Sequence, residues 1–180
     1  VDVTKSTVEC SVPMKEERHG ATSAVVDNTI YIFGGLDKDM GTLNSCEKLD
    51  TSQLPLKWES TRPLEVGRFV AGAAAVGGRV YLCGGGSVTD EILTSVQVYD
   101  TELDVWEDGP RMTVGRFGDG LRMGCVAHGG IVYVAGGRDG NSDRLASVER
   151  LLPGAVEWER VADMLKPRAG LALVTMDGKI

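Results

Sequence analysis

Small and apolar residues come in short runs along this chain, each run broken by a two-residue turn and then resumed. Ala71-Gly72-Ala73-Ala74-Ala75-Val76 and Ala169-Gly170-Leu171-Ala172-Leu173-Val174 are runs of the first kind. The breaks are Asp27-Asn28, Gly77-Gly78, Gly129-Gly130 and Asp177-Gly178, pairs that accept positive φ and predict tight hairpins. The resumed run is apolar on both faces, as in Ile30-Tyr31-Ile32-Phe33, so it predicts a strand covered on both sides. A mixed run follows, Ser95-Val96-Gln97-Val98-Tyr99 or Ser147-Val148-Glu149-Arg150-Leu151. The last run is short and charged around one aromatic: Lys57-Trp58-Glu59, Val105-Trp106-Glu107, Glu157-Trp158-Glu159. Each unit therefore predicts four strands whose polarity rises from first to last.

The unit repeats. Tyr31, Gly34 and Gly35 return as Tyr81, Gly84 and Gly85 and again as Tyr133, Gly136 and Gly137. Trp58, Trp106 and Trp158 are followed ten residues later by Arg68, Arg116 and Arg168, and Arg18 heads the first copy. The copies span residues 18–67, 68–115 and 116–167. Residues 1–17 read as the outer strand of a preceding unit, with Val8 where a tryptophan belongs, and 168–180 as the start of a further, truncated one. Blades set around an axis are crowded at the centre and open at the rim. Small residues then suit the inner strand, a doubly apolar strand packs between neighbouring blades, and charges protect the outer edge. An all-β propeller meets all three demands with a repeat of this length. A β-sandwich would give no reason for so strict a repeat.

These residues resemble the Kelch repeat family over essentially the whole chain: the Tyr-x-x-Gly-Gly strand end, the later tryptophan, and a Met-x-x-x-Arg lead into the first strand. That lead is Met14 to Arg18, Met112 to Arg116 and Met164 to Arg168, with Leu64 before Arg68. The runs Ser147-Val148-Glu149-Arg150 and Asp177-Gly178-Lys179-Ile180 look most like the Kelch domains of BTB-Kelch proteins. The resemblance implies part of a ring, commonly of six blades, completed by a further segment or a second copy. Three features depart from it. The third-strand aromatic is Tyr99 in one copy but Leu49 and Leu151 in the others. Four extra residues fall near Gly118-Asp119-Gly120-Leu121, leaving Arg116 and Arg122 as alternative strand leads. The last copy stops at Ile180, inside its first hairpin.

Composition sharpens the picture. Twenty-four glycines, nearly twice the usual share of about 7%, fit many tight turns. A net charge of −7 argues against nucleic acid or an anionic membrane as partner, because both require a basic face. No apolar run is long enough to span a bilayer. Cys10, Cys46, Cys83 and Cys125 form no Cys-x-x-Cys pair, so they read as reduced, mostly buried thiols of a cytoplasmic protein. His19 and His128 join no metal motif, and Asp139-Gly140-Asn141-Ser142-Asp143 begins like a calcium loop but has Arg144 and Arg150 where glycine and glutamate belong. Gly115-Arg116-Phe117-Gly118-Asp119-Gly120 opens a strand, not a helix, and so does not make a dinucleotide site. No cofactor, metal or catalytic set is expected.

Function is then expected on the loops of one face, carried by a rigid scaffold. Alternation of antiparallel strands places the lead-in loops (Arg18-His19, Arg68-Phe69, Arg116-Phe117, Arg168-Ala169) beside the loops after the glycine pairs. Those second loops are Leu36-Asp37-Lys38-Asp39, Gly86-Ser87-Val88-Thr89 and Arg138-Asp139-Gly140-Asn141. In BTB-Kelch proteins this face grips short peptide segments. The resemblance implies Arg68, Arg116, Arg138 and Arg168 as forks for acidic side chains, with Phe69 and Phe117 as apolar anchors. The recurring arginines could equally be structural, bonded to strand-end carbonyls. Arg138 does not recur, since Leu36 and Gly86 hold its place, and is the strongest candidate. Three classes follow: a substrate-recruiting module of a cullin-based ubiquitin ligase, a cytoskeletal actin-binding scaffold, and, third, a sugar-directed enzyme such as the family's copper oxidase or epimerase.

Overall fold

Asp27, Gly77 and Gly129 adopt φ of 51°, 53° and 58°, and each turns the chain back at once into an antiparallel partner. In this computed structural model, which describes residues 12–87, 89, 92–118 and 123–180, three such hairpins start three four-stranded sheets. The first sheet holds β1 (Thr22–Val26), β2 (Thr29–Phe33), β3 (Cys46–Asp50) and β4 (Trp58–Thr61). The second holds β5 (Gly72–Val76), β6 (Arg79–Cys83), β7 (Val96–Asp100) and β8 (Val105–Gly109). The third holds β9 (Gly124–His128), β10 (Ile131–Ala135), β11 (Val148–Leu151) and β12 (Glu159–Arg160). In each sheet the strands stand in chain order and pair antiparallel. The chain is therefore an all-β partial propeller of three described blades. Most of residues 1–17, Cys10, Val88, Arg122 and most of the 118–121 insertion lie outside the described residues.

The core lies between the blades. The first two blades enclose Tyr31, Phe33, Cys46, Leu64, Val80, Leu82 and Tyr99, with Trp106 against them. Tyr99 is edge-on to Phe33 at 5.7 Å and tilted against Trp106 at 4.8 Å, favoured arrangements for aromatic pairs. The second and third blades enclose Cys83, Val96, Val98, Met112, Met123, Val132, Val134, Leu151 and Trp158. The second strand is apolar on both faces because it meets a neighbour on each side. Burial of one such side chain contributes about 1.5–3 kcal/mol. The tryptophans add a second tie. The indole Nε1 of Trp58, Trp106 and Trp158 donates to the carbonyls of Val12, Arg62 and Pro110, at 3.1, 2.9 and 2.8 Å. Each tryptophan thereby holds the linker that leads into its own blade.

The glycine pair is required by close approach. Gly85 N donates to Arg116 O of the next blade at 3.0 Å, and Gly35 and Gly137 make the same bond to Arg68 and Arg168. A Cβ on Gly84 would stand 2.4 Å from Arg116 O, and one on Gly85 2.7 Å from Phe69 O. Both residues also have positive φ, 63° and 96°. The first glycine thus makes room for the next blade and the second for its own lead-in loop.

Two outcomes follow. Gly84→Ala combines a steric clash with left-handed strain and should cost about 3 kcal/mol, read by urea unfolding. Burial pushes the Cys46 thiol up to about 12, while an unfolded thiol ionises near its ordinary value of 9.0. The unfolded state then loses its proton first, so stability is full below pH 9 and falls as the pH rises toward 12. Cys46→Ala should flatten part of that slope in melts run between pH 8 and 11.

Candidate functional site

Each blade is closed by one buried arginine. Arg116 Nη1 donates to Gly136 O and Ser147 O, both at 3.0 Å, and Nη2 to Ser147 Oγ at 3.1 Å and Glu149 Oε1 at 2.5 Å. Neither Arg116 nor Glu149 has any exposed surface. Arg18 repeats the arrangement on Gly34 O, Ser45 O, Ser45 Oγ and Glu47 Oε1. Arg68 repeats it on Gly84 O, Ser95 O, Ser95 Oγ and Gln97 Oε1. The planar fork reaches both strand-end carbonyls at once, which a lysine could not do. The carboxylates also hold the lead-in loop: Glu47 accepts from Lys15 N and Glu16 N, and Glu149 from Thr113 N.

The expectation that Arg68 and Arg116 offer their forks to a partner is therefore corrected, and Arg18, placed on the same face, is likewise taken up. Their guanidinium groups are taken up inside the blades, as the structural alternative held. Arg116 takes the lead-in role in the third blade, while Arg122, the alternative, lies outside the described residues. Leu36 and Ser87 are also buried. Phe69 and Phe117, the expected apolar anchors, are half-buried. Arg168 is exposed on its side chain, while its backbone makes the same inter-blade bond to Gly137 as its counterparts.

The two loop sets do meet on one face. His19 pairs with Leu36, Phe69 with Gly86 and Phe117 with Arg138 in two-way backbone hydrogen bonds of 2.8–3.1 Å. Each bridge continues to the far side of the loop, at Thr42, Ile92 and Arg144. The Phe69 ring lies over Gly86, where a Cβ would stand 2.6 Å from Cζ. In the third blade Arg138 occupies that place, half-buried, with Nη1 donating to Ser142 O at 2.5 Å. The loop after it is the predicted polar turn. Asp139 Oδ1 accepts from the backbone N–H of Asn141 and Asp143, just as Asp37 Oδ1 accepts from Asp39 and Gly41. Asn141 stands exposed at its tip. Beside it, an open depression of about 430 Å³ separates the second and third blades, lined by Ile92, Thr94, Val114 and Asp139 among others. Backbone bonds also join successive lead-in loops, Val70 N to Gly20 O at 2.8 Å and Gly118 N to Val70 O at 3.3 Å.

Sequence reading missed the acceptors of the arginines. The signal was present: Ser45-Cys46-Glu47, Ser95-Val96-Gln97 and Ser147-Val148-Glu149 repeat Ser-x-Glu/Gln at one distance from the glycine pair. The second blade differs in charge. Burial pulls Arg68 down to about 10, and Gln97 supplies no countercharge. Burial also lowers Arg116, but Glu149 opposes that shift.

Known proteins share this repeat. The family described as KLHDC2/KLHL20/DRC7 Kelch-repeats domain matches residues 2–180. Human Kelch-like protein 33 is 32% identical over 157 residues, covering 83% of this chain and 26% of that protein. Human Kelch repeat and BTB domain-containing protein 13 is 29% identical over 119 residues, covering 66% and 25%. The chain thus spans about a quarter of the length of these curated relatives. A solved structure titled "Structure of YjhT" superposes with a TM-score of 0.77 at 18% identity, over 89% of this chain and 56% of that one, which shows the fold alone. Among the described residues no helix is long and apolar enough to cross a membrane.

The charge difference between blades gives a test. Gln97→Glu would pair Arg68 and present an oxygen to Glu65 N, the counterpart of Lys15 N and Thr113 N. It should add about 1 kcal/mol of stability, whereas Glu149→Gln should remove about 2 kcal/mol, both by urea unfolding.

Proposed function

The chain belongs to the Kelch repeat family, and on that premise we propose that it is a protein-binding module whose lead-in face recruits a substrate protein, in the manner of an adaptor for a cullin-based ubiquitin ligase. The observation that carries this reading is the division of labour on that face. In the three described blades the recurring lead-in arginines are taken up inside, and residues that differ between copies stand on the loops of the rigid face. Phe69, Phe117, Arg138, Asn141 and Arg144 belong to the second group. Arg138 stands directly opposite Phe117 on one side and Arg144 on the other, in a row of three paired backbones. Cation and aromatic so placed form a site for a short peptide with an acidic and an apolar residue. The −7 net charge of the chain makes this local basic pair a means of choosing partners as well as binding them. The relatives' names add the adaptor reading, since one of them carries a BTB domain by name. Recruitment by such an adaptor requires no chemistry from the propeller itself, and the module acts by positioning.

Affinity capture with the chain, compared with Arg138→Glu and Phe117→Ala, tests the placement. The expected result is one or more partners depleted at least tenfold by each substitution, about 1.4 kcal/mol or more, with an unchanged melting temperature. Capture indifferent to both would reject this face. If recruitment leads to ubiquitination, depletion of the protein in cells lengthens the half-life of the captured partner. An unchanged half-life would reject the ligase role and leave the binding role standing.

A further inference from the structure

Each blade boundary is closed at its inner end by three residues: the first of an inner strand, the one opposed to it on the second strand, and a residue of the next blade's inner segment five positions or more after its lead-in arginine. At the first boundary these are Thr22, Phe33 and Ala73. At the second they are Gly72, Cys83 and Cys125, and at the third Gly124, Ala135 and Leu173. Large faces small at the first and third boundaries. At the second, two thiols of equal size meet. A Cβ on Gly72 would lie 2.5 Å from Cys125 Cβ, so the absent side chain lets Cys125 reach across from the third blade. Cys83 is opposed to Gly72 in the register, and opposed residues hold their Cβ positions about 4.5–5.5 Å apart. Both cysteines therefore face the space beside Gly72, and a disulfide requires about 3.5–4.5 Å between their Cβ atoms. Both thiols are free, and Cys125 packs against the buried cluster that contains Cys83. Cys83 is fully buried, while Cys125 borders a cavity of about 80 Å³ where the inner strands converge, shared with Ser23, Ala71 and Ala73.

We propose that Cys83 and Cys125 form a redox modification site, which a peroxide closes into a disulfide fastening the second blade to the third. Cys125, on the cavity, reacts first. Its deprotonated sulfur attacks one peroxide oxygen, the S–O bond forms, the O–O bond breaks, and the leaving oxygen departs as water once protonated. Cys83 sulfur then attacks the sulfenic sulfur of Cys125. The S–S bond forms, the S–O bond breaks, and the second oxygen leaves as water with the Cys83 proton. Two thiols lose two electrons, and one peroxide is reduced to two waters. The neighbouring Cys83, and then burial, hold the Cys125 thiol above its ordinary range, so closure is slow at neutral pH and quickens as the pH rises.

The test uses the chain with hydrogen peroxide, then blocking of free thiols and non-reducing tryptic mapping. Cys83 lies on the peptide 80–111 and Cys125 on 123–138, with no other cysteine on either. The expected product is these two peptides joined, two hydrogens lighter than their sum, and separated again by dithiothreitol. The oxidised chain should melt about 5 °C or more above the reduced one. Cys125→Ala, which places in β9 the residue that β5 carries at Ala73, should abolish both effects. If that variant does not fold, the map of the unsubstituted chain decides alone. Recovery of both peptides as blocked free thiols would overturn the proposal, as would linkage to Cys10 or Cys46 or between two molecules.

Discussion

A guanidinium held inside each blade is the constraint on which the rest depends. A blade is four strands with few local reasons to stay together at the end where its loops begin. The arginine supplies one by joining the carbonyl after the second strand, the carbonyl before the third, and a side chain on the third, as Arg116 does with Gly136, Ser147 and Glu149. The arginine's own carbonyl faces the previous blade and accepts from its glycine pair. One residue thus fastens its blade internally and ties it to its neighbour. A buried charge is costly when alone, so the third-strand acceptor, a carboxylate in two blades and the Gln97 amide in the other, and the carbonyl pair are as necessary as the arginine itself.

Much of the fold was legible because a repeat states the same physics several times. The hairpin pairs, the apolar second strand and the rim tryptophans each follow from local patterning, and the blades place them as the sequence predicts. The partners of the arginines were not read out. An arginine in a lead-in loop looks the same in sequence whether it turns inward or outward, and the deciding residue lies about 30 positions away on another strand, 29 for Arg18 and 33 for Arg116. Glu47, Gln97 and Glu149 read as ordinary polar positions of a mixed strand, although they are among the most buried residues of the chain. The half-burial of Phe69 was equally hidden, because it depends on the missing side chain of Gly86 across the bridge.

The same division explains how a repeat can serve a specific role. Where blades must meet, the chain repeats itself: glycine pairs, buried arginines, indoles on linker carbonyls. Where it departs from repetition, it does so at places the framework leaves open. Arg138 on the loop face is one such departure, and the Cys83–Cys125 contact at the inner boundary is another. The first bears on the proposed choice of partner and the second on the proposed fastening of two blades.

A double-mutant cycle on the buried pair tests this account most directly. Arg116→Met, Glu149→Leu and the double variant would be unfolded in urea beside the unsubstituted chain. If the clamp organises the blade, each single change leaves a buried polar group unpaired, and the coupling energy between the two is about 2 kcal/mol or more. Effects that simply add, within about 0.5 kcal/mol, would contradict it.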